Sequence, residues 1–222
     1  MAHKQYFTAF VFGLIGIFAF APFYIKPLIL VSYAYLIRSI LFDNTHTFKK
    51  LISWAIGHWG FGMSWLIVSV YYYGETSIFI SLVIFILLTL FLTLCFGLPL
   101  IALKYRLFSG KEGSKHLKIF SISSTLILFE LSRYYLLNGV PWLIPGTVFL
   151  DTPLHSIYSF VGVTGGSFIV YLIATSIAIF WEHRYKIFFG SLVLFIPIID
   201  KYERTEFDFN VSIIQPSSDP FQ

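Results

Sequence analysis

Two charges lie where a charge is costly. Glu130 and Arg133 interrupt the largely apolar run Leu117–Leu137. A spacing of three residues puts them on one face of a helix, where the acid can pair with the base. Glu130 stands about seven residues from the far end of that run, roughly 10 Å deep at 1.5 Å per residue. Ionisable groups at such a depth face a bundle interior and mark functional positions by default. A structural ion pair that fixes packing beside the next loop is the other reading, and the sequence leaves both open. That loop runs Asn138-Gly139-Val140-Pro141-Trp142-Leu143-Ile144-Pro145-Gly146-Thr147. Pro141, Pro145, Gly139 and Gly146 exclude a regular helix, while Trp142 and its apolar neighbours hold the segment near a membrane interface. Non-helical backbone at membrane depth persists only when it is buried in protein or lines a cavity. It is therefore either the wall of a substrate cleft or an interfacial turn anchored by tryptophan.

Other reactive groups offer less. Cys95 lies in Leu94-Cys95-Phe96 with no base or cation beside it, so its thiolate is disfavoured and the residue reads as structural. A single cysteine also excludes an intramolecular disulfide and any multi-cysteine metal site. No two of His3, His46, His58, His116, His155 and His183 fall within two helical turns of each other, so no local metal pair is expected. The small residues of Gly57-His58-Trp59-Gly60-Phe61-Gly62 and Gly162-Val163-Thr164-Gly165-Gly166 read as close helix-packing sites. No phosphate-binding loop, carboxylate dyad or catalytic triad signature is present, and no cofactor is implied.

The scaffold that must position these groups is set by composition. Of 222 residues, 57% are apolar and only 12% charged, about half the charge of an ordinary soluble domain. Mean hydropathy is +0.80. A soluble enzyme, a disordered chain, a collagen-like chain and a disulfide scaffold are all excluded; an all-α polytopic membrane protein is expected. The net charge of +4 is a topology signal rather than a nucleic-acid footprint, and no nucleic-acid partner is implied. Seven segments qualify or nearly qualify as membrane spans: Tyr6–Phe20, Leu28–Phe42, Leu51–Tyr72, Ile78–Tyr105, Leu117–Leu137, Tyr158–Trp181 and Tyr185–Ile199. The first, second and seventh are short. Pro22 and Pro27 break the chain between the first two, predicting a tight helical hairpin. A cleaved signal peptide is the rival for the N-terminus, but no convincing small-residue cleavage site follows its apolar run. With the N-terminus in the cytoplasm, eleven of the fifteen lysines and arginines fall inside and only Lys26, Arg133, Lys201 and Arg204 outside, as the positive-inside rule requires. Seven spans then deliver the C-terminal tail to the outer side.

The tail changes character. Phe207, Phe209, Val211 and Ile213 alternate with Asp208, Asn210 and Ser212, a period of two that predicts a β-strand. A lone strand is unstable in water, so this one is expected to begin a further domain. The predicted division is a helical membrane domain over 1–204 and the start of an incomplete α/β domain over 205–222.

Four stretches, in order, resemble the apolipoprotein N-acyltransferases of Gram-negative bacteria. They are Phe18-Ala19-Phe20-Ala21-Pro22-Phe23 with Pro27-Leu28; Gly60-Phe61-Gly62-Met63-Ser64-Trp65-Leu66 with Val68-Ser69 and Gly74; Phe129-Glu130 with Arg133, Gly139-Val140-Pro141-Trp142, Gly146, Gly162 and Gly165-Gly166-Ser167-Phe168; and Val211-Ser212-Ile213-Ile214-Gln215-Pro216. The third is the most specific. Thr147 stands where the family often has tyrosine.

The resemblance implies a multi-pass protein of the bacterial inner membrane with a periplasmic tail. It also implies a covalent acyl transfer: a phospholipid acyl chain passes to an enzyme cysteine as a thioester, then to the α-amine of the diacylglyceryl-cysteine that begins an apolipoprotein. A phospholipid donor, an apolipoprotein acceptor and membrane lipid are the implied partners. The cysteine, its glutamate base and an oxyanion-stabilising lysine belong to a nitrilase-like domain of which the predicted tail strand would be the first element. None of the three maps onto a residue here, Cys95 included, so no catalytic residue is expected in the chain, and acyl transfer by this chain alone is not expected. Glu130, Arg133, Pro141, Trp142 and Gly146 are the expected substrate-binding positions. A non-enzymatic membrane protein, either a small transporter or the partner of a separate nitrilase-like subunit, is the competing reading, although no internal repeat of the transporter kind is found.

Overall fold

A computed structural model describes residues 2–43, 45–108, 113–136 and 139–197. The described residues are all-helical and contain no strand; the predicted strand at 207–213 and the 204/205 boundary lie outside them. Helix α1 (Ala2–Ile17) and α2 (Leu28–Phe42) form the expected hairpin. The intervening turn carries Pro22 after a cis peptide bond. The segment expected to be one span, Leu51–Tyr72, is broken instead. It comprises α3 (Thr47–Ala55), a single π-helical turn (Ile56–Gly60) and α4 (Trp65–Tyr73), with a bend of 58° between the two arms. The cause is local: the small residues Gly57, Gly60 and Gly62 relax the ladder, and wide turns of this type are the usual way a helix absorbs an extra residue.

Helix α5 (Ile78–Phe108) is the longest, and the Ser77 hydroxyl accepts from the Ile80 N–H at its start (3.3 Å). Helix α6 (Lys115–Leu136) covers the predicted fifth segment. Helix α7 (Tyr158–Ile179) covers most of the sixth and is kinked at Gly162, whose φ is 64°. The last predicted segment is represented by a short α8 (Arg184–Ser191) and a 3-10 turn over Leu192–Phe195. By length and composition, Ile78–Leu107 and Pro153–Ile179 can each cross a membrane, and the bent pair makes a third crossing if it counts as one span. The outer face of α5 exposes Ile78, Phe79, Ile80, Leu82, Ile86 and Leu87, an apolar surface too large for contact with water.

The core is aromatic. Tyr33 (α2) meets the rings of Trp54 (α3) at 5.3 Å, Phe96 (α5) at 5.7 Å and Tyr171 (α7) at 5.5 Å, all near edge-to-face, the arrangement that ring quadrupoles favour. Trp54 also donates to the Ser32 hydroxyl (3.1 Å), and His58 Nδ1 donates to the Gly13 carbonyl (3.3 Å). In lipid, this cluster is held by dispersion and hydrogen bonding rather than by exclusion of water. Helices α1 and α3 approach closely because a Cβ on Gly13 would meet the Trp54 carbonyl and one on Gly57 the Phe10 carbonyl. Gly57 thus packs as its sequence context suggests, whereas the nearest atoms to a Cβ on Gly60 belong to its own turn.

Candidate functional site

The segment 139–151 takes no regular form until Pro145 starts a 3-10 turn (Pro145–Phe149). Gly139 (φ 89°), Leu143 (φ 55°) and Asp151 (φ 60°) all have left-handed backbone. For leucine that conformation needs support from the surroundings, and three fixings on either side of Leu143 supply it. Arg133, on the last turn of α6, donates from Nη2 to the carbonyls of both Val140 and Trp142, the latter at 2.8 Å. The Gly146 N–H donates to Ser167 Oγ on α7 (2.8 Å), and the Tyr158 hydroxyl donates to the Gly146 carbonyl. Gly146 has no room for a side chain: a Cβ there would meet the Val163 carbonyl and the Ser167 nitrogen. Leu143 lies over Gly62, where a Cβ would come within 2.6 Å of its Cδ1.

Held this way, the segment forms one wall of a cleft of about 450 Å³. Trp142 and Thr147 lie on that wall. Ala19, Phe20 and Tyr24 of the α1–α2 turn face them, and Gly62 and Trp65 close the side. Trp142 and Trp65 meet edge-to-face with centroids 5.0 Å apart. The charged groups of the cleft are Lys26 and Asp151, 4.0 Å apart, with the Lys26 ammonium also donating to the Leu150 carbonyl. The lining is mostly apolar, with a lysine–aspartate pair at one edge, which suits an amphiphile that carries an acyl chain and a polar head.

The five residues singled out from sequence take different places. Trp142 is 40% exposed and lines the cleft. Arg133 (6% exposed) and Glu130 (1%) lie beneath it. The direct Glu130–Arg133 ion pair suggested by their spacing is not formed: among the described residues no ion pair within 4.0 Å involves either one. Arg133 turns to the loop carbonyls because that of Val140 would otherwise be a buried acceptor without a donor. Glu130 Oε2 instead accepts from the Tyr171 hydroxyl (2.9 Å), and Oε1 has no hydrogen-bond partner among the described residues. Gly146 is buried against α7. Pro141 precedes Trp142 and is exposed, outside the lining.

Sequence reasoning missed Lys26 and Asp151 as a pair, since 125 positions separate them. The available signal was Lys26 itself, a lone cation in an apolar hairpin turn. Cys95 lies on α5, which contributes nothing to the cleft lining. No group of three metal-ligating side chains occurs among the described residues.

The sequence matches the apolipoprotein N-acyltransferase N-terminal domain family over residues 12–176. Among curated proteins, an apolipoprotein N-acyltransferase from Haemophilus influenzae is 35% identical over 171 residues, 74% of this chain and 31% of that protein. One from Shewanella oneidensis is 30% identical over 193 residues, 86% of this chain and 36% of that protein. One from Coxiella burnetii is 29% identical over 181 residues, 76% of this chain and 36% of that protein. The chain spans about a third of the length of the curated relatives it matches.

Proposed function

The chain belongs to the apolipoprotein N-acyltransferase family, whose N-terminal domain it carries, and from that premise we propose that it is the membrane platform on which acyl transfer is carried out. In this reading it lies in the bacterial inner membrane with seven crossings and a cytoplasmic N-terminus. Residues 205–222 begin a nitrilase-like domain on the periplasmic side. The phospholipid donor rests in the cleft between the α1–α2 turn and segment 142–151, with its acyl chain against Trp65, Trp142 and Leu143 and its phosphate near Lys26. The apolipoprotein amine arrives above it. The platform contributes position: it holds the ester at a fixed height beneath the domain that supplies the nucleophile, so the two react as if in one molecule.

One observation carries this reading. The irregular segment after α6 is pinned from below by Arg133 and by the Gly146–Ser167 contact, so that Trp142 is turned outward into a mostly apolar cleft. An interfacial anchor alone would require only the tryptophan. Arg133 and Gly146 accordingly act as positioning residues, and Trp142 as the contact.

The test is a chimera in which residues 1–197 replace the corresponding part of the Haemophilus influenzae relative, expressed in cells depleted of their own acyltransferase. The chimera is expected to support lipoprotein acylation, and Trp142→Ala is expected to lower transfer at least tenfold at equal membrane abundance. Unchanged transfer in Trp142→Ala and Trp65→Ala would remove the cleft from the mechanism.

A further inference from the structure

The end of the bundle away from the cleft carries a second amphipathic cavity. The cleft uses the C-terminal end of α1 and the N-terminal end of α2; this cavity uses the opposite ends of the same two antiparallel helices. Along the chain Lys4 of the cavity and Ala19 of the cleft stand 15 residues apart, about 22 Å at 1.5 Å per residue, and Phe12 at the cavity's inner limit lies about 10 Å from Ala19 on the same basis. A polar chamber of about 600 Å³ is lined by Lys4, Thr8, Arg38, Ser39, Asp43 and Lys50. It shares Phe12, Tyr35 and Trp181 with a neighbouring groove of about 380 Å³, so the two are contiguous. Val31, Ala34, Ile177 and Phe188 make that groove apolar. Phe12 and Tyr35 stack flat at the junction, centroids 4.1 Å apart and planes within 2°.

The charges at the junction are unbalanced. The guanidinium of Arg38 lies 4.2 Å from the centroid of the Trp181 ring, and that of Arg184 lies 4.6 Å from the same ring. Two like charges are thereby gathered on one indole. Lys50 is neutralised by Asp43, but among the described residues no ion pair within 4.0 Å engages Arg38, Arg184, Lys4 or the nearby Glu182. Each arginine does donate to a carbonyl, Arg38 to Ala178 and Arg184 to Trp181, at 2.9 and 2.8 Å. These bonds fix the planes and leave the positive charge uncompensated. A cationic chamber opening directly into an apolar groove at a helix-bundle edge is the complement of an anionic phospholipid: phosphate among Lys4, Arg38 and Arg184, and one acyl chain along Val31, Ala34 and Phe188.

We propose that this cavity binds an anionic phospholipid in the leaflet opposite the acyl-donor cleft. The site stands on its own geometry; only its assignment to the inner leaflet rests on the orientation proposed above. The lipid would tie the ends of α1, α2, α7 and α8 together in the membrane plane and would not be consumed.

Binding to the purified full chain in nonionic detergent tests the proposal, using dioleoyl phosphatidylglycerol, dioleoyl phosphatidylcholine and inorganic phosphate as probes, read by native mass spectrometry. Phosphatidylglycerol is expected to bind at least tenfold more tightly than phosphatidylcholine. Arg38→Gln should weaken phosphatidylglycerol at least fivefold and leave phosphatidylcholine unchanged. Val31→Trp, which fills the groove, should weaken both lipids. Because Arg38 also holds the Ala178 carbonyl, Lys4→Gln on the exposed first turn is the second variant, expected to cost at least twofold for phosphatidylglycerol with an unchanged melting temperature. Equal binding of the two lipids would overturn the proposal, as would phosphatidylglycerol binding indifferent to Lys4→Gln. Binding of inorganic phosphate as tight as that of the lipid, indifferent to Val31→Trp, would also overturn it and leave a free-anion site. A Trp142→Ala chain must retain the Arg38-dependent binding, which separates failure here from failure of the outer cleft.

Discussion

Arg133 donates to the carbonyl of Trp142 at 2.8 Å, and through that bond the end of α6 sets the height and direction of the one predicted site residue that faces the cleft. The same nitrogen also holds the Val140 carbonyl. A cation near the C-terminal end of a helix is favourable on dipole grounds as well, so Arg133 serves α6 and the following segment together. A functional charge and a structural charge were both open from spacing; the geometry gives Arg133 structural contacts, to the carbonyls of Val140 and Trp142.

Arg133→Ala leaves the buried Val140 carbonyl and the part-buried Trp142 carbonyl without this donor. Truncating one partner of a buried charged hydrogen bond costs about 2–4 kcal/mol, so thermal melts of the purified chain are expected to show a clear destabilisation. Trp142→Ala, at a 40% exposed position, is expected to cost less than half as much. Equal losses in the two variants would contradict the assignment of support to Arg133 and contact to Trp142.

Gly146 and Gly190 form a matched pair. A Cβ on Gly146 would collide with backbone of α7, whereas nothing lies within 4 Å of a Cβ on Gly190. Gly146→Ala is therefore expected to destabilise by about 2 kcal/mol or more, since backbone has nowhere to retreat. Gly190→Ala, inside α8, is expected to be neutral or to stabilise by up to about 1 kcal/mol through helix propensity. Melting temperatures of the two variants check this directly, and a tolerant Gly146 would mean that the loop does not sit where it is described.

Much of this arrangement was legible from residue types. Leu28–Phe42 was read to the residue, because Pro27 starts it and Asp43 ends it. Trp142 was singled out because the prolines and glycines around it exclude a helix, while a cleft wall and an interfacial turn both stayed open. The break within Leu51–Tyr72 was not seen: Gly57, Gly60 and Gly62 read from sequence as packing residues, and neither a proline nor a charge marks the place where they also relax the helix into a bend of 58°. The Glu130–Arg133 pairing was misread for a related reason. Spacing tells which residues share a helix face, but Tyr171 and the loop carbonyls come from elsewhere in the chain and compete for the same groups. The cleft's Lys26–Asp151 pair is likewise a product of folding that no local window contains.

Asp43, beyond the end of α2, supplies a pH prediction. Its hydrogen bonds from Lys50 and Thr45 hold its carboxyl down to about 2. A carboxylate whose folded value is depressed stabilises the fold above its ordinary value, and that contribution disappears as pH falls through the lower one. The difference in melting temperature between the parent chain and Asp43→Asn should thus be constant from pH 7 to about pH 4 and should shrink toward zero near pH 2. A difference that persists unchanged at pH 2 would mean that the ion pair with Lys50 contributes nothing.

The account's central claim is that the outer cleft receives a phospholipid acyl chain. It is tested most directly by reconstituting the chain in bilayers that contain a phosphatidylethanolamine with a photoactivatable group midway along one acyl chain, then mapping the crosslinked peptides. Crosslinks to 19–26, 62–65 and 142–151 that fall at least fivefold when Leu143→Trp fills the cleft are the predicted result. Crosslinks confined to the exposed face of α5, unaffected by Leu143→Trp, would contradict it.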